Sequence, residues 1–576
     1  MSTDMRIEKN NQHKIMNATT LLLGTYLLAD GEIFETLDPA VRAVVQRPVK
    51  DPAPVLVPEF PWETSMHFYG SAVAVAPNDH RIYYACNAVG HHDVDGAPDG
   101  PSSCCVAVSA DNGTTWTRPM LQGSVPYNNW TRTNMVFTSG GGWFDSMLLL
   151  PLGMPAPFPR GAPAGTRFVM AFDDGVSDPA GLRVLQLAVS ADGFRFTVLS
   201  PPMASKDSSF ADTSVSLSFD PATREFVAFG RYDGYPNQHP ERPQCGKQIP
   251  NFNMQSVRAV RRATSPCGSL VNFSLAAHVP LHFDKLDDQC VDVYNTAAWI
   301  ASAGVRQWSN DSTSARGGAT TERAYLAFPA FYQHYGWTVN DGVLDVRFMF
   351  SRDGISFRYI GGDRRAFIPR GIGAAAGKEQ SLFDEEEGGF PAQWDAGIAY
   401  MYRGVIDVGD GTQEMYYFGQ QGSHAHQDCC SRGKFGIGRA RILKDRWIAL
   451  ALDAPHAGPA TNGSAANVTM MTQPVLLPSC AHIGRGNATL TMTLNVEVSV
   501  GGSVSMAVLV AETGTPVPGF SHAEAMTIYG NRLAAPLKFS GDEGNFSLLP
   551  AVPLRLQFIL RAPARVFAWE FHCINV

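Results

Sequence analysis

The octapeptide SADNGTTW at Ser109–Trp116 has the spacing Ser-x-Asp-x-Gly-x-x-Trp, which describes a tight turn between two strands. The Asp111 carboxylate can accept backbone N–H groups of its own turn, Gly113 accommodates a positive φ, and the Trp116 ring folds back as an apolar plug. A turn of this kind recurs when the supersecondary unit that carries it recurs. Three further copies follow: SADGFRF at Ser190–Phe196, the degenerate SPCGSLVNF at Ser265–Phe273 with Cys267 in place of Asp, and SRDGISF at Ser351–Phe357. Successive starts lie 81, 75 and 86 residues apart, so the motif marks a repeat.

Each marker closes a set of segments with alternating or continuous apolar character, the signature of strands. YGSAVAVAP and RIYYACN precede the first marker, DSMLLLP and RFVMAFDD the second, DTSVSLSFD and EFVAFGRYD the third, and DVYNTAAWI and AYLAFPAFY the fourth. A fifth set, DAGIAYMY, EMYYFGQ and FGIGRARILKDRWIALAL, lacks the Asp turn. Five units of about four strands predict an all-β chain whose first part, residues 51–453, is a five-bladed β-propeller. Residues 1–50 form a segment leading into it. After the small polar linker HAGPATNGSAANVT, the strands ATLTMTLNVEVSV, SVSMAVLVAE, LRLQFIL and RVFAWEFH predict a β-sandwich over residues 470–576.

Composition agrees with this reading and narrows the function. Of 576 residues, 54 are Gly and 39 Pro, a turn-rich balance, while 45% hydrophobic against 17% charged residues supports a large core. A net charge of −8 without a basic cluster argues against a nucleic-acid partner. No apolar run reaches the roughly 18 residues of a membrane span. The first fifteen residues are polar, unlike a secretory signal; the stretch after Met16, NATTLLLGTYLLADG, reads as an internal-start signal or as a first strand, and the strand is preferred. Nine of the 23 asparagines nevertheless stand in Asn-x-Ser/Thr: Asn17, Asn112, Asn129, Asn272, Asn310, Asn462, Asn467, Asn487 and Asn545. With ten cysteines lacking zinc-site spacing, this predicts a secreted or lumenal protein with disulfides, although no signal sequence is evident.

Propellers carry their sites where the innermost strands begin, and an acid precedes or opens each of those segments: Glu63, Asp145, Asp212, Asp292 and Asp395. The first four stand 46, 45, 53 and 59 residues before their turn markers. A ring of carboxylates around one channel pushes some pKa values apart, and glycoside hydrolysis needs that divergence, one carboxyl protonated and another ionised. The alternative for each acid is a hydrogen bond to the backbone of a neighbouring blade.

With PVKDPAPVLVPEFPWE, FDPATREFVAFGRYD, SRDGISF with AFIPRG, and FGIGRARILKDRWIAL between Pro48 and Leu450, the sequence resembles, from about residue 20 to the end, the invertase/fructosidase and arabinanase superfamily, including glycosyl hydrolase family 32. It resembles uncharacterised bacterial propeller proteins more closely still. The resemblance implies a carbohydrate substrate, no cofactor, and catalytic carboxylates that fall by position on Glu63, Asp145 and Asp212. The Asn-Asp-Pro-Asn-Gly, Arg-Asp-Pro and Glu-Cys motifs of invertases are absent. The Ser-x-Asp-x-Gly turn also resembles the Asp-box of sialidases, under which Arg231 and Tyr294 would contact an acidic sugar.

Histidines and aromatics complete the candidate site. His67, the His91–Asp93 stretch, and His424 with His426 offer sugar-hydroxyl partners, proton donors or metal ligands, but no third ligand accompanies the His-x-His pair, so no metal is assigned. Trp62, Trp394, Tyr294 and Tyr332 suit stacking on pyranose faces, with core packing as the competing role. The expected activity is hydrolysis of an oligo- or polysaccharide, with Asp212 and Asp145 as the acid/base pair, Glu63, Asp292 or Asp395 as a third carboxylate, and His67, Arg231, Tyr294, Trp394 and His424 on the substrate. A non-catalytic glycan-binding propeller, a sialidase-like enzyme and a polysaccharide lyase are the alternatives.

Overall fold

The apolar runs bounded by Gly, Pro and Asx turns fold as strands. In the computed structural model every regular element among the described residues is a strand, apart from the 3-10 turns Ile360–Gly362 and Phe546–Leu548. The structure describes residues 18–21, 23–29, 31–63, 69–86, 103–122, 125–139, 144–151, 159–173, 185–200, 210, 215–220, 223–236, 256–265, 268–270, 273–276, 279–282, 284–287, 290–301, 324–334, 342–372, 393–424, 435–453, 467–480, 488–541 and 544–575. The chain divides into two compact units, a larger one of Ala43–Ser312 with Arg323–Ala449 and a smaller one of Met1–Arg42, Thr313–Glu322 and Leu450–Val576.

The larger unit opens with three four-stranded antiparallel sheets. In chain order they are Gly70–Ala76, Asp79–Cys86, Ser103–Ser109 and Met135–Thr138; Phe144–Leu149, Phe168–Asp173, Leu185–Ser190 and Thr197–Val198; and Ser216–Asp220, Glu225–Pro236, Ser256–Ser265 and Ser274–Leu275. A nine-stranded sheet follows, made of two antiparallel groups. One is built on Val291–Ala301 and Ala324–His334, the other on Ile398–Met401, Thr412–Gln420 and Phe435–Leu443, and the two meet through the parallel pair of Leu344 with Ile398. Val49–Lys50 from the far end of the unit's sequence adds the last strand of the second group, opposite Ala440 and Arg441.

The Asp turns adopt the geometry their sequence predicts. In the first, the Asp111 Oδ1 accepts from the Ser109 hydroxyl and the Thr115 N–H, both at 2.8 Å, Ser109 Oγ accepts the Gly113 N–H, and Gly113 has φ +76°. Asp192 and Asp353 repeat the arrangement with Ser190 and Ser351 and with the N–H groups of Phe194, Arg195, Ile355 and Ser356. Two of the turns also touch a neighbour: Tyr83 of the first sheet donates to the Gly193 carbonyl at 3.0 Å, and Arg439 donates to that of Gly113 at 2.8 Å.

A second repeated device links the first strands of successive sheets. The fully buried hydroxyls of Ser71, Ser146 and Ser216 accept the backbone N–H of Met147, Leu217 and Ala298 in the next sheet, at 2.9, 3.4 and 3.1 Å. Between Ile398–Met401 and Gly70–Ala76 the backbone of Arg403 takes over, donating to Gly70 and accepting from Ala72.

The smaller unit contains two sheets with alternating burial, as in Leu554–Arg561. Phe558 of one sheet stacks on Trp569 of the other at 5.7 Å, with Phe34 edge-on to both. Gly24–Leu27 pairs with Ala564–Asn575 and Phe34–Leu37 with Asn467–Thr472. The early strands thus join partners that follow them by more than 400 residues, a pairing with no local trace in sequence. Disulfides connect Cys86 with Cys105 and Cys480 with Cys573, while Cys104, adjacent to one of them, is a buried free thiol.

Candidate functional site

The serine links provide a common register for the first strands, and against it the acids are not equivalent. Asp145 stands one residue before Ser146, Glu63 eight before Ser71 and Asp212 four before Ser216. This corrects the expectation of one acid at one structural position in every sheet: similar distances to the next turn arise from loops of different length. Among the described acids, Asp145 and Asp292 are the two that lie within first strands, second residue of Phe144–Leu149 and of Val291–Ala301.

Both strands are bulged at the same end. The pairing skips Asp145 between Phe144 and Ser146, and skips Tyr294 between Val293 and Asn295. An extra residue in one strand turns a side chain out of the ladder, which is how sheets commonly aim a functional group.

Around the second bulge the structure gathers a polar and aromatic cluster. The His334 Nε2 lies 2.9 Å from the Asp292 Oδ2, with His334 3% and Asp292 5% exposed. The other carboxylate oxygen of Asp292 is buried and has no hydrogen-bond partner among the described residues. The Tyr294 hydroxyl is 3.2 Å from the half-buried His424 Nε2 and 3.3 Å from the Tyr69 hydroxyl. Tyr332 packs against His334 at 4.0 Å, His424 at 5.1 Å and Tyr294 at 5.7 Å, and Tyr400 stands edge-on to Tyr294 and Tyr69.

Two guanidinium groups border the cluster. Arg258 sits over the Tyr294 ring at 5.4 Å; burial opposes its charge, but Asp292, Tyr294 and Asp233 outweigh that cost and hold its pKa above the ordinary value. Arg403 is fully enclosed, so burial lowers its pKa despite Tyr400, Asp145 and Tyr69 nearby, and its Nη1 donates to the Asp145 carbonyl at 2.7 Å. These groups form a continuous polar seam along the end of the unit where the first strands begin.

Glu63 and Asp395 are engaged elsewhere. Glu63, fully buried in the turn after Phe60, accepts from the Tyr84 hydroxyl, from Arg118 Nε at 2.8 Å and from the N–H groups of Glu59 and Phe60. Asp395 forms an ion pair with Lys50 at 2.5 Å and accepts from Tyr417 at 3.0 Å, the ring on which Trp394 stacks. Arg231 pairs with Asp233 at 2.7 Å on the strand beside Arg258. Trp62 is buried and donates to Asn134. Asp212, His67, His91, Asp93 and His426 lie outside the described residues.

Of the sequence candidates, Asp292, Tyr294, Tyr332 and His424 therefore converge, with Asp145 linked to them through Arg403. His334, Arg258, Arg403, Tyr69 and Tyr400 were not anticipated. The Tyr-x-His alternation of Tyr332 and His334 at a strand end was the one local signal available, since alternate residues share a face. Among the described residues no group of three or more His, Cys, Asp or Glu could hold a metal ion.

No family model matches the chain, and no curated protein matches it. Similar solved structures include one titled glycoside hydrolase, with 14% identity, TM-score 0.38, and coverage of 72% of this chain and 96% of the other. An N-acetylgalactosamine deacetylase from F. plautii shows 12% identity, TM-score 0.36 and coverage of 71% and 97%. An α-L-arabinofuranosidase from Podospora anserina shows 10% identity, TM-score 0.34 and coverage of 69% and 97%. Likenesses this distant decide neither the fold nor the chemistry of this chain.

Proposed function

We propose that the larger unit is a five-bladed β-propeller, that the smaller unit is a β-sandwich, and that the chain hydrolyses a glycosidic bond at the propeller end where Asp292, Tyr294 and His424 meet. The serine links and the Arg403 bridge support the propeller, because they tie the first four first strands in succession and the last to the first, while the fourth and fifth groups meet through the pair of Leu344 with Ile398. The activity rests on one observation: the buried Asp292 carboxylate, held on one side by His334, keeps its other oxygen without a donor among the described residues. An acceptor oxygen so placed is available to a substrate hydroxyl, and to a glycosidic oxygen when the carboxyl carries the proton it would donate.

In this reading Asp292 is the proton donor and Asp145, aimed by its bulge, is the base or nucleophile. Asp212, which stands four residues before Ser216 in the sequence, is the third carboxylate. His334 positions Asp292 without touching substrate, Tyr294 and Tyr332 are buried in the packing that holds the two histidines, and His424 orients the Tyr294 hydroxyl. The carbohydrate is the partner, and secretion fits the disulfides and the sequons.

Hydrolysis of an oligosaccharide and aryl-glycoside panel tests the proposal with wild type and Asp292→Asn. A loss of about 10²–10⁴-fold in kcat is expected in protein that still folds, with a lower unfolding midpoint because Arg258 and His334 lose the Asp292 charge. Equal turnover by the two proteins removes Asp292 from the chemistry. In the glycan-binding alternative the same acids hold sugar hydroxyls without chemistry, although Glu63 and Asp395 are already paired with Arg118 and Lys50. Binding without any turnover would favour it.

A further inference from the structure

The sequon Asn129-Trp130-Thr131 sits on a surface feature that the proposed activity does not use. Tyr127 and Trp130 exchange backbone hydrogen bonds of 3.0 and 2.8 Å, which leaves Asn128 and Asn129 as a two-residue hairpin tip, with Asn128 at φ +47°. Asn129 and Thr131 are exposed. The tip is held in place from below: Arg132 donates twice to the Met120 carbonyl, and the Thr133 hydroxyl donates to that of Val125 at 2.6 Å. Trp130 is 45% exposed, although its ring lies only 5.3 Å from Trp62 and 6.1 Å from Phe60.

An indole so anchored and so exposed, next to a glycan acceptor, is a ready stacking surface for a sugar ring. Other described sequons differ. Asn112 lies in the Asp turn at φ +54°, Asn467 begins a paired strand, and the Asn545 side chain accepts the Ser547 N–H. The Cys86–Cys105 and Cys480–Cys573 disulfides independently point to an oxidising compartment, where N-glycosylation takes place.

We infer that Asn129 is an N-glycosylation site whose first sugar packs on Trp130, with Tyr127 beside it, and stabilises the first sheet. The donor is a polyprenyl-pyrophosphate oligosaccharide. The Asn129 carboxamide nitrogen bonds to the anomeric carbon of its first sugar, the bond from that carbon to the pyrophosphate oxygen breaks, and the amide releases one proton as the lipid pyrophosphate departs. The inference stands independently of the glycosidase reading.

The test uses the full chain secreted from a eukaryotic host. Peptide mass spectrometry is expected to find Asn129 occupied in wild type and in Trp130→Ala, which keeps the sequon. Enzymatic removal of the glycan from folded protein should lower the Tm of wild type by roughly 1 °C, the scale of one modest contact in a unit of this size, and leave Trp130→Ala unmoved. An unmodified Asn129, or a wild-type Tm that ignores the glycan, overturns the inference. So does a Trp130→Ala protein that responds as wild type does.

Discussion

Glu63 and Asp292 are both buried acids, yet their surroundings give them opposite roles. Glu63 accepts from Arg118, Tyr84 and two backbone N–H groups, so its acceptor sites are filled by the protein itself. Removing that charge leaves the Arg118 guanidinium, 7% exposed, with only the exposed Glu59 as counter-ion. Glu63→Gln is therefore expected to cost about 1–3 kcal/mol, read as a lower midpoint in urea unfolding. A midpoint within error of wild type would contradict this scaffold role. Asp292 shows the reverse pattern, with one oxygen on His334 and the other left without a donor among the described residues. At this scale the sequence made Asp292 and Tyr294 legible because an acid and a tyrosine near a strand start are chemically conspicuous, and His424 because it stands in a His-x-His pair. It left His334 and Arg258 hidden, because they arrive from a strand end and from another sheet, and nothing local couples them to Asp292.

The elements are held by two repeated devices of unequal legibility. The Asp turn could be read directly, since its hydrogen bonds close within a few residues. Its energetic consequence is pH dependence. Hydrogen bonds from the Thr115 hydroxyl and N–H pull the Asp111 pKa down to about 2. Burial pushes Asp192 and Asp353 the other way, but the N–H groups of Phe194 and Arg195, and of Ser356 and Ile355, outweigh it and leave both below the ordinary value. A carboxyl whose pKa is depressed in the folded state contributes stability that is fully present above the unfolded value near 3.9 and disappears as pH falls through the folded one. Thermal midpoints should thus decline between about pH 4 and pH 2, and the decline should be shallower when all three turn aspartates are replaced by Asn. Equal slopes would sink this account of the turns. The serine links were illegible, because a serine in an apolar strand has no visible partner until the next sheet is placed. Ser216→Ala leaves the Ala298 N–H without the acceptor it has in the structure. A loss of about 1–3 kcal/mol is expected in denaturant unfolding. A neutral effect would mean that this link does not bind the third sheet to the fourth.

Across the whole molecule, periodicity was enough to predict an all-β chain and the succession of sheets, whereas long-range closure was not. The strand Val49–Lys50 meets Phe435–Leu443 almost 400 residues away, and Gly24–Leu27 meets Ala564–Asn575, so both pairings depend on the completed fold. Long-range contact also makes the proposed site, since Tyr69, Asp292, His334, Tyr400 and His424 belong to segments spread over some 350 residues. The central claim is that this convergence performs hydrolysis and does not merely bind. The direct measurement pairs reducing-end release from the best substrate of the panel with calorimetric binding of the same oligosaccharide, for wild type and Asp292→Asn. The account predicts turnover by wild type, its loss in the variant, and a Kd that stays within about tenfold, roughly 1.4 kcal/mol. Undiminished turnover by the variant, or a wild type that binds and never cleaves, would contradict it.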